Sequence, residues 1–147
     1  MTVHGVGVNE KGRFTSNFPG TNKMTKAYCR WKDMLGRCYS TKEQLIRPSY
    51  IGTTVCEDFL YFQKFAEWHE NQIGSNIPGW QMDKDILVFN NKIYSKETTV
   101  FIPEIINKTI QIHNKKSGRD LRVRLLDLAE QFEENLDIRV YNALKNF

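Results

Sequence analysis

The order of apolar and polar positions predicts helices flanking a short β-rich middle. Between residues 23 and 39 the apolar side chains Met24, Tyr28, Trp31, Leu35 and Cys38 fall alternately four and three residues apart. That spacing is one face of an α-helix, and Asn22 or Thr25 can supply its N-cap oxygen. A second helix is predicted over 59–72, with Phe62, Phe65, Ala66 and His69 at helical spacing, Asp58 as its cap and a glycine-bounded breaker at 74–79. A third stripe runs through Leu121, Leu125, Leu128, Ala129 and Phe132, is interrupted at 135–137, and resumes at Val140, Tyr141 and Leu144. Between the second and third stripes the period changes. WQMDKDILV at 80–88 alternates and ends in an apolar run, which suits a strand. Asn90-Asn91-Lys92 suits a tight turn, residues 100–102 a second strand, and Pro103 the first turn of a helix that carries Asn107.

Shorter signals complete the reading. Residues 3–14 read as a hairpin or extended arm, 15–22 as a loop, 42–46 as one helical turn, 51–56 as a strand and 114–120 (NKKSGRD) as a basic flexible linker. The expected class is α+β: a small strand–turn–strand–helix unit packed on amphipathic helices, with a helical C-terminal appendage. The expected organisation is a core over 1–113, the linker 114–120 and a helical segment over 121–147. At 147 residues and 40% hydrophobic content, one domain with its own core is expected.

Charge changes the picture more than composition does. Residues 1–50 hold nine Lys/Arg against three Asp/Glu, while residues 51–100 hold four against seven. Lys23, Lys26, Arg30 and Arg37 sit off the apolar stripe of the first helix and form a basic ridge suited to a polyanion. Lys115, Lys116, Arg119, Arg122 and Arg124 make a second basic cluster, suited equally to phosphate contact or to a solvated linker. The three cysteines, Cys29, Cys38 and Cys56, form no Cys-x-x-Cys pair and read as reduced, packed thiols. Trp31, Trp68 and Trp80 offer base-stacking surface, but the first two lie in core stripes. No apolar run is long enough for a membrane span, and the N-terminus has no apolar signal core, so a cytoplasmic location, in a host cell, is expected.

Four runs carry a family resemblance: YCRWKDMLGRCY at 28–39, TTVCEDFLYFQKFAEW at 53–68, WQMDKDILV at 80–88 and YSKETTVFIPEIIN at 94–107. With AEQFEENLDIRVYNAL at 129–144, they resemble small phage-encoded proteins of the HNH homing-endonuclease-like type, many of which carry an AP2-type DNA-binding module. Here the linker NKKSGRD stands where that module would be. The resemblance implies a ββα nuclease unit with DNA as partner; on a strand Asp83 and Asp85 point to one face, and with Asn107 they could hold an ion such as Mg²⁺, which prefers oxygen ligands. The candidate catalytic residues are Asp83, Lys84 and Asp85, and Lys84, protonated near neutrality, is a good phosphate partner.

One departure bears on activity. The family's strand carries an Asp-His pair whose imidazole activates water, and here Lys84 follows Asp83. None of His4, His69 and His113 falls at the base position. A lysine ammonium has no lone pair with which to take a proton. The first expectation is therefore a nucleic-acid-binding protein with a degenerate, weak or inactive nuclease centre. A second is an active metal-dependent DNA endonuclease of the homing type with another base. A third is a protein-binding inhibitor module on the same scaffold, contacting a host or phage protein. Self-association through the C-terminal helix is left open by the sequence.

Overall fold

Helix α1 (Lys26–Tyr39) carries the predicted stripe, with Trp31, Leu35 and Cys38 buried together with Met34. The computed structural model describes residues 2–113 and 118–147. Its fold is mixed α+β and divides into two units, residues 1–71 with 90–97 and residues 72–89 with 98–147. This division differs from the expected core–linker–tail plan.

In the first unit, Thr25 caps α1 by accepting the Tyr28 amide at 3.3 Å. The helix therefore starts later than residue 23. Lys23 and Met24 precede it in extended chain, where Met24 bridges Asn17 and stays exposed. The Trp31 indole donates to the Phe59 carbonyl at 2.8 Å, and its ring meets those of Tyr28 and Phe62. These contacts seat α1 on α3 (Phe62–Glu70). That helix is shorter than expected, because residues Glu57–Leu60 form a 3₁₀ turn first. Tyr61 is the cap residue; Asp58, expected to cap, instead faces Lys64 and Lys96.

A hairpin of β1 (Thr2–Val3) and β2 (Gly7–Val8) lies on α1. Gly7 has no room for a side chain: a Cβ there would run into Leu35 and come 2.9 Å from Trp31. Helix α2 (Thr41–Ile46) is capped by the Ser40 hydroxyl, which accepts from the Glu43 amide. Strand β3 (Thr54–Val55) pairs in parallel with β5 (Ile93–Tyr94).

In the second unit, β4 (Trp80–Asp83) pairs antiparallel with β6 (Val100–Pro103), Trp80 opposite Pro103 and Asp83 opposite Val100. Helix α4 (Glu104–His113) follows directly, so Pro103 closes the strand rather than opening the helix. The expected strand over 80–88 stops at Asp83, where the Asp83 carboxylate takes the amides of Asp85 and Ile86 and bends the chain. The Asn90-Asn91 turn does not join β4 to β6; residues 84–99 make a longer excursion that delivers β5 to the first unit. Asn90 does take the left-handed backbone expected of it, at φ 56°.

Helices α5 (Gly118–Phe132) and α6 (Ile138–Lys145) belong to this second unit. Leu121, Leu125, Leu128, Ala129, Val140 and Leu144 are buried, α5 packs on α4, and Phe132 meets Trp80 edge-on. The tail is part of a core, not an appendage. Of the expected linker, residues 114–117 lie outside the described residues, and 118–120 open α5. No helix among the described residues is long and apolar enough to cross a membrane.

Candidate functional site

The second unit brings β4 and α4 together around three polar side chains. Side chains alternate along a strand, so Gln81 and Asp83 share one face of β4. Asn107, one turn into α4, donates its amide to Gln81 Oε1 at 2.7 Å and lies 3.4 Å from Gln111 Nε2. Asn107 thus reaches the face of β4 that carries Gln81 and Asp83.

Asp83 Oδ2 accepts the Ile86 amide at 2.7 Å and the Asp85 amide at 2.9 Å. Burial still raises its pKa above the ordinary carboxylate value, and those two amides pull the other way. Asp85 is not its companion on the strand. It lies beyond the bend, and both its oxygens bond the Lys84 ammonium, at 3.0 and 3.1 Å. The Lys84 side chain is only 8% exposed, whereas Asp85 is 45% exposed. The ammonium is thus buried and already engaged by Asp85 rather than presented to solvent.

Helix and strand thus present one uncommitted carboxylate oxygen, Asp83 Oδ1, among groups tied to other partners. A hard divalent cation takes several oxygen ligands. The Asp83, Asp85 and Asn107 set, in this arrangement, does not fit Mg²⁺. Among the described residues no cluster of His, Cys, Asp and Glu side chains meets the geometry of a metal site either.

The basic residues of the first unit separate into three kinds. Lys23 and Lys26 are exposed, Lys23 just before α1 and Lys26 on its first turn. Arg30 is half-buried, with its guanidinium 2.8 Å from His69 Nε2. A guanidinium only donates, so Nε2 accepts and the imidazole proton sits on Nδ1. His69 is 4% exposed. Burial first, then the charges of Arg30 and Lys26, lower its pKa to about 4. It is a neutral brace for Arg30 at physiological pH. Burial likewise lowers the pKa of Arg30.

Arg37 turns inward. Its guanidinium lies 5.8 Å from the Tyr50 ring centre and hydrogen-bonds the buried Tyr94. Desolvation of Arg37 is outweighed by these two tyrosines and by Asp33, which raise its pKa. Tyr94 itself is pushed well up, chiefly by burial. Arg37 is therefore a structural cation, unlike the solvent-facing ridge member its spacing suggested. All three tryptophans are buried and none is presented for stacking. Of the second basic cluster, Arg122 and Arg124 are exposed on α5, while Lys115, Lys116 and the Arg119 side chain lie outside the described residues. Cys29, Cys38 and Cys56 are free thiols.

Sequence reasoning passed over a polar cavity of about 280 Å³ in the first unit. It is lined by His4, Lys32, Asp33, Gly36, Arg37, Glu43 and Arg47. Its walls come from three separate stretches of chain, so no local motif announces it. The positive backbone angle of His4, φ 50°, is the signal inside it, since non-glycine residues rarely adopt that conformation. No protein-family model matches this chain, and no curated protein or solved structure matches it.

Proposed function

We propose that this chain is a phage-type, HNH-like nucleic-acid-binding protein whose nuclease centre is degenerate. The observation that carries the reading is the fate of the residue after Asp83. The β4, β6 and α4 arrangement has the strand–strand–helix order of a ββα nuclease unit. Where that unit needs an imidazole, Lys84 stands, buried and closed on Asp85. The lysine offers no base for water and puts positive charge where a metal would bring it. Loss of general-base help typically lowers a rate by about 10² to 10⁴.

Binding falls to the exposed cations. Lys23, Lys26 and the half-exposed Arg30 lie at the start of α1, and the electrostatic influence of both Lys26 and Arg30 on His69 supports one positive neighbourhood. Contacts of this kind hold phosphate without reading bases. Neutralising about three phosphates gives a salt slope of about −3 on duplex DNA.

The test is incubation with supercoiled plasmid, with and without Mg²⁺ or Mn²⁺, beside a gel shift at two salt concentrations. The expected result is a salt-sensitive shift with little or no nicking. Robust metal-dependent nicking, abolished in Asp83→Ala and retained in Lys84→Ala, overturns the degenerate centre in favour of an active endonuclease. No shift at low salt overturns nucleic-acid binding and turns the search to a protein partner.

A further inference from the structure

We infer that the cavity between the β1–β2 turn, α1 and α2 is a binding site for a phosphorylated sugar of mononucleotide size. It lies within the first unit and owes nothing to the nuclease-like strands, so it stands or falls apart from the function proposed above. At about 280 Å³ it falls just below the usual size of ligand pockets, roughly 300–1,000 Å³.

Its lining is mostly charged. Lys32, Arg37 and Arg47 face Asp33 and Glu43, with His4 on one wall. Among the described residues, Lys32, Asp33, Glu43 and Arg47 make no ion pair with one another or with other side chains. Opposite charges share a cavity without closing on each other. That arrangement suits a ligand that is itself divided into an anion and a set of hydroxyls. The three cations favour phosphate, which takes several charge-assisted hydrogen bonds. The two carboxylates are acceptors only, and match sugar hydroxyl donors. Arg37 also lines the cavity, with its Nε–H buried and without a hydrogen-bond partner.

The cavity wall is also built rather than incidental. His4 Nε2 stands 3.1 Å from where a Cβ on residue 36 would be, so Gly36 makes room for the imidazole. The ring is carried there by left-handed backbone at His4 and Gly5. Left-handed backbone in a non-glycine residue tends to cluster at ligand sites. Lys32 and Asp33 come from α1, and Glu43 and Arg47 from α2 and its end, so the charges hang on two helices already fixed by packing.

The test uses the full chain and the His4 ring protons as reporter, followed by NMR at constant ionic strength. Adenosine 5′-monophosphate, inorganic phosphate, adenosine, and oligonucleotides with a 5′-phosphate or a 5′-hydroxyl are titrated in turn. The expected result is a saturable His4 shift with the monophosphate, weaker with phosphate alone and absent with adenosine. Preference for the 5′-phosphorylated strand over both the 5′-hydroxyl strand and the mononucleotide identifies a strand end as the source. Preference for the mononucleotide identifies a free nucleotide. Lys32→Glu with Arg47→Glu, both exposed positions, should weaken binding at least about tenfold per lost contact while leaving the melting temperature unchanged. Equal response to adenosine and its monophosphate overturns the inference, as does no His4 response beyond that to added chloride. Binding unchanged in the double variant overturns it too.

Discussion

Acid should destabilise this protein through one buried imidazole, His69. Its pKa is about 4 in the folded chain against 6.5 for an ordinary histidine, because burial and then Arg30 and Lys26 disfavour the charged ring. Above pH 6.5 both folded and unfolded forms are neutral there, and the group makes no difference. As the pH falls from 6.5 toward 4 the unfolded chain gains a proton that the folded chain refuses, so stability falls. The full loss is about 3 kcal/mol, at 1.36 kcal/mol for each unit of pKa difference. A loss that large is a substantial part of the 5–15 kcal/mol typical of a folded domain. The comparison protein is His69→Gln, whose amide oxygen can still accept from Arg30 and cannot titrate. Urea unfolding of both proteins between about pH 7.5 and 4.5 measures the effect as a difference. The raised pKa of Asp83 acts in the opposite sense, and the lowered values of Asp58 and Asp137 matter only near and below 3.8. All three are common to both proteins and cancel. The wild type should lose its advantage progressively across that range. A difference that stays flat, or that grows in acid, would refute the burial argument for His69.

Three other outcomes are expected. Lys23→Glu with Lys26→Glu should lower duplex-DNA affinity and flatten the salt slope by about two, with the melting temperature unchanged, checked by gel shifts at several salt concentrations. Arg37→Ala should instead lower stability by about 1–3 kcal/mol, because it leaves the buried Tyr94 hydroxyl short of a partner, and chemical unfolding will measure it. Leu125→Ala, at a fully buried position of α5, should cost about 2–5 kcal/mol and raise amide exchange in α4 and α6 along with α5.

The helical parts of this fold were legible because their period is local. Trp31, Leu35 and Cys38, or Leu121, Leu125 and Leu128, announce a buried stripe within a few turns of chain. Helix ends were less legible, since Thr25 and Asn22 are both acceptable caps and only packing selects one. The strand pairing misled for a physical reason. WQMDKDILV looks like one long strand, but Asp83 can satisfy two downstream amides with its own carboxylate and ends the strand itself. The Asn90-Asn91 turn suits a link between neighbouring strands, whereas Ile93 and Tyr94 pair with residues about forty positions earlier. Asp83 and Asn107 stand out from the order of strands and helix, but Gln81, the partner of Asn107, carries no chemical signature in a sequence. Arg37 differs from its expected exposure because off-stripe position says which way a side chain starts, not whether aromatic neighbours draw it in. The cavity around His4 was illegible, being assembled from residues 4, 32–37 and 43–47.

Strand β5 gives the chain an uncommon divisibility. The polypeptide passes between its two units at 71/72, 89/90 and 97/98, so no single cut frees either one whole. A piece ending at residue 71 keeps Arg37 and Thr54–Val55 but lacks Tyr94, while the other piece carries Ile93–Tyr94 with nothing to pair against. Two such halves, expressed apart, have a reason to find each other: each holds one edge of the same two-residue ladder and one side of the same buried arginine–tyrosine contact. The protein is in that sense a natural split pair held on one thread, and its reassembly from fragments would report directly on that parallel strand.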